Sequence, residues 1–183
     1  MDDVLFGRIV DAPLDAGGER QAAAVAARLA RETDLLIQAS PRRRTQQTAR
    51  AIAASTQAEL LTAPDLDEID FGRWSGQRFA TLAEDPQWCR WNEQRDLAST
   101  PAGDSIARVQ ARIARHLHRL QAAFPNRTIA LVTHAEVIRS TLLWILELPA
   151  SAYTRLEISP SSISTLLWRN GAFVVYSMNE RAS

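Results

Sequence analysis

Three stretches of the 183-residue chain bring together side chains able to grip a small anion or move a proton. The first, Ser40-Pro41-Arg42-Arg43-Arg44-Thr45-Gln46-Gln47-Thr48-Ala49, reads as the junction between a buried strand and a helix. A helix start presents free N–H groups and a partial positive charge, and a guanidinium there adds a forked donor matched to phosphate or carboxylate. Arginine at that end also opposes the helix dipole, so the competing reading is solvated surface charge, and the segment alone weighs the two evenly. The second stretch, Thr128-Ile-Ala-Leu-Val-Thr-His134-Ala135, sets His134 at the C-terminal end of a buried strand, where open α/β sheets keep their working groups. The third, Leu66-Asp67-Glu68-Ile69-Asp70-Phe71-Gly72-Arg73-Trp74, holds three carboxylates among apolar neighbours. A carboxyl shielded in this way takes up its proton more readily and can act as a general acid.

Helical patterns alternating with short apolar runs must position these groups, the mark of an α/β fold. Alanine-rich Glu19 to Arg31 is a helix by propensity, and Asp34 to Ala39 a buried strand. Pro41 suits the first turn of a helix reaching about Ala54, and Glu59 to Ala63 is a short strand closed by Pro64. Short helices are expected at Phe79–Glu84 and Gln87–Arg95, then a long one capped by Asp104 or Ser105 and running to about Ala123. Thr128 to Thr133 is a buried strand leading into a helix at Val137–Leu146. Ser162–Trp168, the Asn170-Gly171 turn and Ala172–Ser177 form a hairpin. No repeat, linker or low-complexity run divides residues 1–183, so one domain is expected.

Composition narrows the chemistry. The 21 basic residues are all arginine, which excludes a Schiff-base lysine and a P-loop lysine. A single cysteine, Cys89, excludes an internal disulfide and a cysteine-built metal cluster, and its tryptophan neighbours suggest packing. Three histidines leave little for a metal cage. His116 and His118, two apart on a helix, point to different faces and are expected at the surface. The balance of 21 basic and 21 acidic residues argues against a nucleic-acid partner. No signal peptide or membrane span is apparent, so a cytoplasmic location is expected, and the oligomeric state is left open. Neither G-x-G-x-x-G nor a Walker sequence indicates a nucleotide cofactor.

In order along the chain, Gly7-Arg8 with Asp11-Ala-Pro-Leu, Ser40-Pro-x-x-Arg-x-x-Gln-Thr-Ala, Leu66-Asp-Glu-Ile-Asp-Phe-Gly, Pro101-Ala-Gly-Asp-Ser and Thr133-His134-Ala135 resemble the histidine phosphatase superfamily, the phosphoglycerate mutase-like fold. The pattern is most similar to the small alpha-ribazole and broad-specificity phosphatases. The resemblance implies a three-layer α/β/α architecture with a mostly parallel sheet and a C-terminal antiparallel hairpin. It implies a small phosphorylated substrate or inorganic phosphate as ligand, and no metal or organic cofactor. Arg44, His134 and Ala135 would bind the phosphate, with Arg44 and His134 catalytic beside Glu68, the proton donor.

One departure shapes the expectation. The family's defining Arg-His-Gly, whose histidine becomes phosphorylated, is absent from this chain, and Arg115-His116-Leu117 lies mid-helix. The first central strand that would carry it is expected to be missing, leaving unpaired edges within the sheet. A reading frame begun at an internal methionine accounts for this and for the retention of Arg44, Glu68 and His134; a non-catalytic phosphate binder is the alternative. The chain as given is expected to be inactive for want of the nucleophile. Gly103-Asp-Ser105-Ile resembles a serine-esterase block, but its flanks suit a helix cap, so a serine hydrolase using Ser105 and His134 ranks far lower.

Overall fold

The computed structural model describes residues 3–9 and 11–182. Met1, on which the reading-frame expectation turns, lies outside them. Helix α1 (Ala16–Leu29) leads into strand β1 (Leu35–Ala39), α2 (Arg43–Thr56) and β2 (Glu59–Thr62). Two short helices, α3 (Phe79–Ala83) and α4 (Pro86–Glu93), precede the long α5 (Ile106–Ala123). Strand β3 (Thr128–Val132), helix α6 (Ala135–Ile145) and the hairpin β4 (Ser162–Arg169) and β5 (Ala172–Arg181) complete the order.

The expected elements are present, with shifted ends. Helix α2 starts at Arg43 rather than Pro41 and stops at Thr56, where Gln57 turns left-handed at φ 58. Helix α6 begins directly after His134, and β5 continues to Arg181. A 3₁₀ turn at Ala150–Arg155, unforeseen in the sequence, buries Ala152 and Tyr153 against α6.

β1 is central in a parallel sheet of order β2-β1-β3, with Leu36 opposite both Glu59 and Ile129. Its five residues are all buried, as expected for a strand covered on both faces. Leu35, Ile37 and Ala39 pack with Val25 and Ala26 of α1 and Ala49 and Ile52 of α2. On the other side a larger core joins Ile106, Val109, Ile113 and Leu117 of α5 to Leu66, Ile69, Trp74 and Trp91. Hairpin β4–β5 packs Leu166 and Val175 toward α6, yet among the described residues no ladder joins it to the parallel sheet. β3 is correspondingly half-buried from Ile129 to Val132, and among the described residues its edge opposite β1 has no strand partner.

The acidic segment is locked by backbone onto the loop before α5. Asp104 N–H donates to Asp70 O at 2.9 Å, and Arg73 N–H to Pro101 O at 3.0 Å. Thr100 Oγ1 also donates to Asp70 O at 2.6 Å. Such close approach requires glycines. A Cβ on Gly72, at φ +55, would lie 1.9 Å from Pro101 O, and one on Gly103 would lie 2.2 Å from Asp70 O. Gly72→Ala is therefore expected to lower the unfolding free energy by about 3 kcal/mol in urea titration. Gly171→Ala, whose Cβ would meet open space at φ +82, should lose only about 1 kcal/mol.

Candidate active site

Ser40 N–H donates to Val132 O at 2.9 Å, carrying the ladder from the last residue of β3 to the residue just past β1. The helices that follow therefore begin side by side, with Arg44 in the first turn of α2 and His134 as the residue preceding α6. Neither helix start has a side-chain hydrogen bond from its capping residue. At α6 this leaves the N–H groups around Ala135, an exposed residue, facing the site.

The geometry brings the sequence-predicted residues together. Arg44 Nη2 lies 2.9 Å from His134 Nδ1 and 3.7 Å from Glu68 Oε2. His134 Nδ1 lies 3.6 Å from the same carboxyl oxygen. Arg44 Nη1 is buried and has no acceptor among the described residues. Arg44 and Glu68 open onto a pocket of about 300 Å³ whose remaining wall includes Val4, Leu5, Phe6, Phe71 and Phe79, while His134 stays buried behind Arg44. Glu136 and Ala135 line it from the α6 side.

Donor inventory fixes the imidazole tautomer. A guanidinium only donates, so His134 Nδ1 is the acceptor and the proton of the neutral ring sits on Nε2. Nε2 then donates to Ser40 Oγ at 2.8 Å, and Ser40 passes its own hydrogen toward Asp67 Oδ1 at 3.3 Å. Burial, reinforced by the charges of Arg44, Arg42, Arg112 and Arg8, drives the His134 pKa down to about 2. A neutral imidazole follows at physiological pH. Glu68, only 12% side-chain exposed, moves the opposite way: burial, then the charge of Glu136, push its pKa up to about 8. The Ile69 amide, donating to Glu68 Oε1 at 2.9 Å, and Arg44 oppose that rise. Glu68 is thus a protonated acid near neutrality, and its closeness to His134 is not an ion pair.

Several contributors carried no assigned role in the sequence reading. Arg8 Nε donates to Glu68 O at 2.6 Å, and its Nη2 to Asp104 Oδ2 at 2.9 Å, bolting the acid segment to the residues before α5. Arg42 Nε lies 2.9 Å from Asp67 Oδ1, so one of the three arginines braces the site while Arg43 faces solvent. Ser40 is fully buried, which makes it an anchor for His134 and not an accessible nucleophile. Ser40 and Asp67 were visible as motif positions, but no local signal told which imidazole nitrogen they serve.

Other expectations are corrected. His116 is buried, because it lies on the inner face of α5 with Asp65 Oδ2 3.4 Å from Nδ1. His118 alone is exposed, its ring 5.3 Å from that of Phe173. Cys89 is exposed on α4 and does not pack between the tryptophans. Ser105 caps α5 by accepting from Arg108 N–H, whereas Asp104 serves Arg8. Among the described residues, no helix is long and apolar enough to cross a membrane. No group of three or more His, Cys, Asp or Glu is placed to hold a metal there.

The family model for the histidine phosphatase superfamily (branch 1) matches residues 2–181. This chain belongs to the histidine phosphatase superfamily. Among superfamily relatives it is 27% identical over 173 residues to phosphoserine phosphatase 1 of Hydrogenobacter thermophilus, covering 93% of this chain and 82% of that protein. A mycobacterial glucosyl-3-phosphoglycerate phosphatase, solved with inorganic phosphate, superposes with a TM-score of 0.88 at 26% identity, covering 100% of this chain and 94% of its own. A phosphoserine phosphatase of Entamoeba histolytica, solved with 3-phosphoglyceric acid, gives 0.87 at 29% identity over 97% and 89% of the two chains. The mostly parallel sheet and C-terminal hairpin are those of the phosphoglycerate mutase-like fold.

Glu68 holds its proton more tightly folded than unfolded, so the stability this lends is complete below its ordinary value of 4.5 and lost as pH rises through about 8. His134 acts in the other direction: its lowered pKa removes stability as pH falls below its ordinary 6.5. Glu68→Gln is expected to flatten the loss of stability toward alkaline pH, read from urea midpoints at several pH values. The carboxyl ¹³C resonance of Glu68 should report a protonated group at neutral pH.

Proposed function

We propose that this chain supplies the phosphate grip and the proton donor of a phosphomonoester hydrolase acting through a phosphohistidine on a small phosphorylated metabolite. The observation that carries this reading is Arg44, whose buried Nη1 has no acceptor among the described residues and whose side chain lines the same pocket as Glu68. Solved relatives bound to phosphate and to 3-phosphoglyceric acid support it.

In the proposed reaction a histidine supplied by an Arg-His-Gly strand attacks phosphorus, forming the N–P bond as the P–O bond to the leaving group breaks. Arg44, backed by His134, and the N–H groups at Ala135 stabilise charge on the phosphoryl oxygens. Glu68 gives its proton to the leaving oxygen. As a carboxylate it then removes a proton from the water that cleaves the N–P bond, releasing phosphate and restoring the acid. The residues in hand need neither metal nor organic cofactor for these roles. We place the nucleophile's strand at the edge of β3 that has no ladder partner among the described residues.

The chain as given should bind inorganic phosphate by calorimetry, with Arg44→Ala weakening binding by roughly tenfold to a hundredfold. It should hydrolyse an aryl phosphate no faster than buffer. Absence of phosphate binding would refute the grip, and brisk hydrolysis abolished by His134→Ala would refute the missing nucleophile. Binding without turnover even after an Arg-His-Gly strand is supplied favours a non-catalytic phosphate binder.

A further inference from the structure

We infer that the pocket selects phosphomonoesters with a neutral, largely apolar leaving group, such as an aryl or heteroaryl alcohol, and turns away phosphocarboxylates, with Glu136 setting the choice. This rests on the phosphate-binding reading above and goes beyond it to the substrate class.

Glu136 is the second residue of α6 and stands on the pocket wall beside Arg44 and Glu68. It is clamped from behind. Arg95 Nη1 donates to its Oε2 at 2.9 Å, the Tyr153 hydroxyl donates to Oε1, and Arg139 Nη1 lies 3.6 Å away. The clamping groups have little left to offer a ligand. Arg95 is only 7% exposed, donates through Nη2 to Asn92 Oδ1 at 2.9 Å and stacks 3.5 Å from the Tyr153 ring centroid; its Nε has no acceptor among the described residues but is buried away from the pocket lining. Arg139 uses Nε on Leu156 O at 2.7 Å and lies 4.1 Å from the centroid of that same ring. Neither arginine is part of the pocket lining, whereas Glu136 is.

A leaving group that enters the pocket therefore meets a fixed acceptor and an apolar wall. Among the described residues Arg44 is the one basic side chain on the lining, and in the proposed reading it belongs to the phosphoryl group. A second carboxylate on the substrate would lose its water without gaining a donor, and would face Glu136, acceptor against acceptor. A flat apolar group instead covers Phe6, Phe71 and Phe79, the last of them 41% exposed at the mouth. A hydroxyl or N–H on that group finds its acceptor in Glu136. The relatives named for phosphoserine and glucosyl-3-phosphoglycerate act on carboxylate-bearing esters, so this chain would differ from them in what it accepts.

Calorimetric titration of the whole chain with phenyl phosphate, 3-phosphoglycerate and inorganic phosphate tests this. Phenyl phosphate should bind at least about tenfold more tightly than 3-phosphoglycerate. Glu136→Gln, which keeps the shape and adds an N–H donor, should bring the two toward parity. Phe79→Ala, at a half-exposed position, should erase the advantage of phenyl phosphate over inorganic phosphate. Equal or tighter binding of 3-phosphoglycerate to the unaltered chain, or an unchanged ratio in a Glu136→Gln protein that still binds inorganic phosphate, overturns the inference alone. Failure of the unaltered chain to bind any of the three overturns the phosphate-binding reading and the inference with it.

Discussion

A guanidinium cannot accept a hydrogen bond, and from the contact between Arg44 and His134 Nδ1 the order of the site unfolds. The imidazole must be neutral with its proton on Nε2; Ser40 must take that proton; Asp67 must receive what Ser40 gives up. Asp67 is then held by Arg42 while Arg8 grips the backbone of Glu68 next door. Protonating His134 would put two donors face to face, so the ring is not free to change state while Arg44 stays in place. One directional constraint thereby orders side chains from β1, the acid segment and the start of α6.

Charge in the pocket is arranged as opposites that have given up their usual forms. The histidine is neutral because cations surround it, and the glutamic acid is neutral because burial and a second carboxylate disfavour its anion. Arg44 remains the cation of this face, with a donor unused among the described residues, while Glu136 on the α6 side keeps its charge against Arg95 and Arg139. That distribution leaves the Arg44 corner free of ionised carboxylate and suits an anionic ligand there.

Much of this was legible in the chain. The alternation of apolar runs and helical patterns located β1, β3 and the helices after them, and the rule that ligands meet strand ends pointed to the Ser40–Ala49 segment and to His134. Which of three arginines and which of three carboxylates would act, Arg44 and Glu68, came from the family resemblance alone. What stayed hidden came from long-range packing. The clamp on Glu136 joins residues 95, 136, 139 and 153, and nothing in the first turn of α6 distinguishes a clamped glutamate from one that merely complements the helix dipole. Helical spacing correctly put His116 and His118 on different faces, but it could not say that the inner face belonged to His116, because that depends on Asp65 arriving from another segment. The two glycine contacts at Pro101 and Asp70 were equally invisible, since a glycine in a loop reads only as a turn.

The divided sheet carries a consequence for how the molecule behaves among its own copies. Among the described residues, the free edge of β3 and the separate hairpin present rows of N–H and C=O groups without a ladder partner, beside side chains left half-buried. Such an edge accepts any extended chain of suitable pattern. On the proposed reading, the nucleophile's strand and a second copy of the chain would compete for one set of backbone groups. The concentration of matching strand decides between them by mass action, so colloidal behaviour and the integrity of the pocket are two readings of a single binding equilibrium.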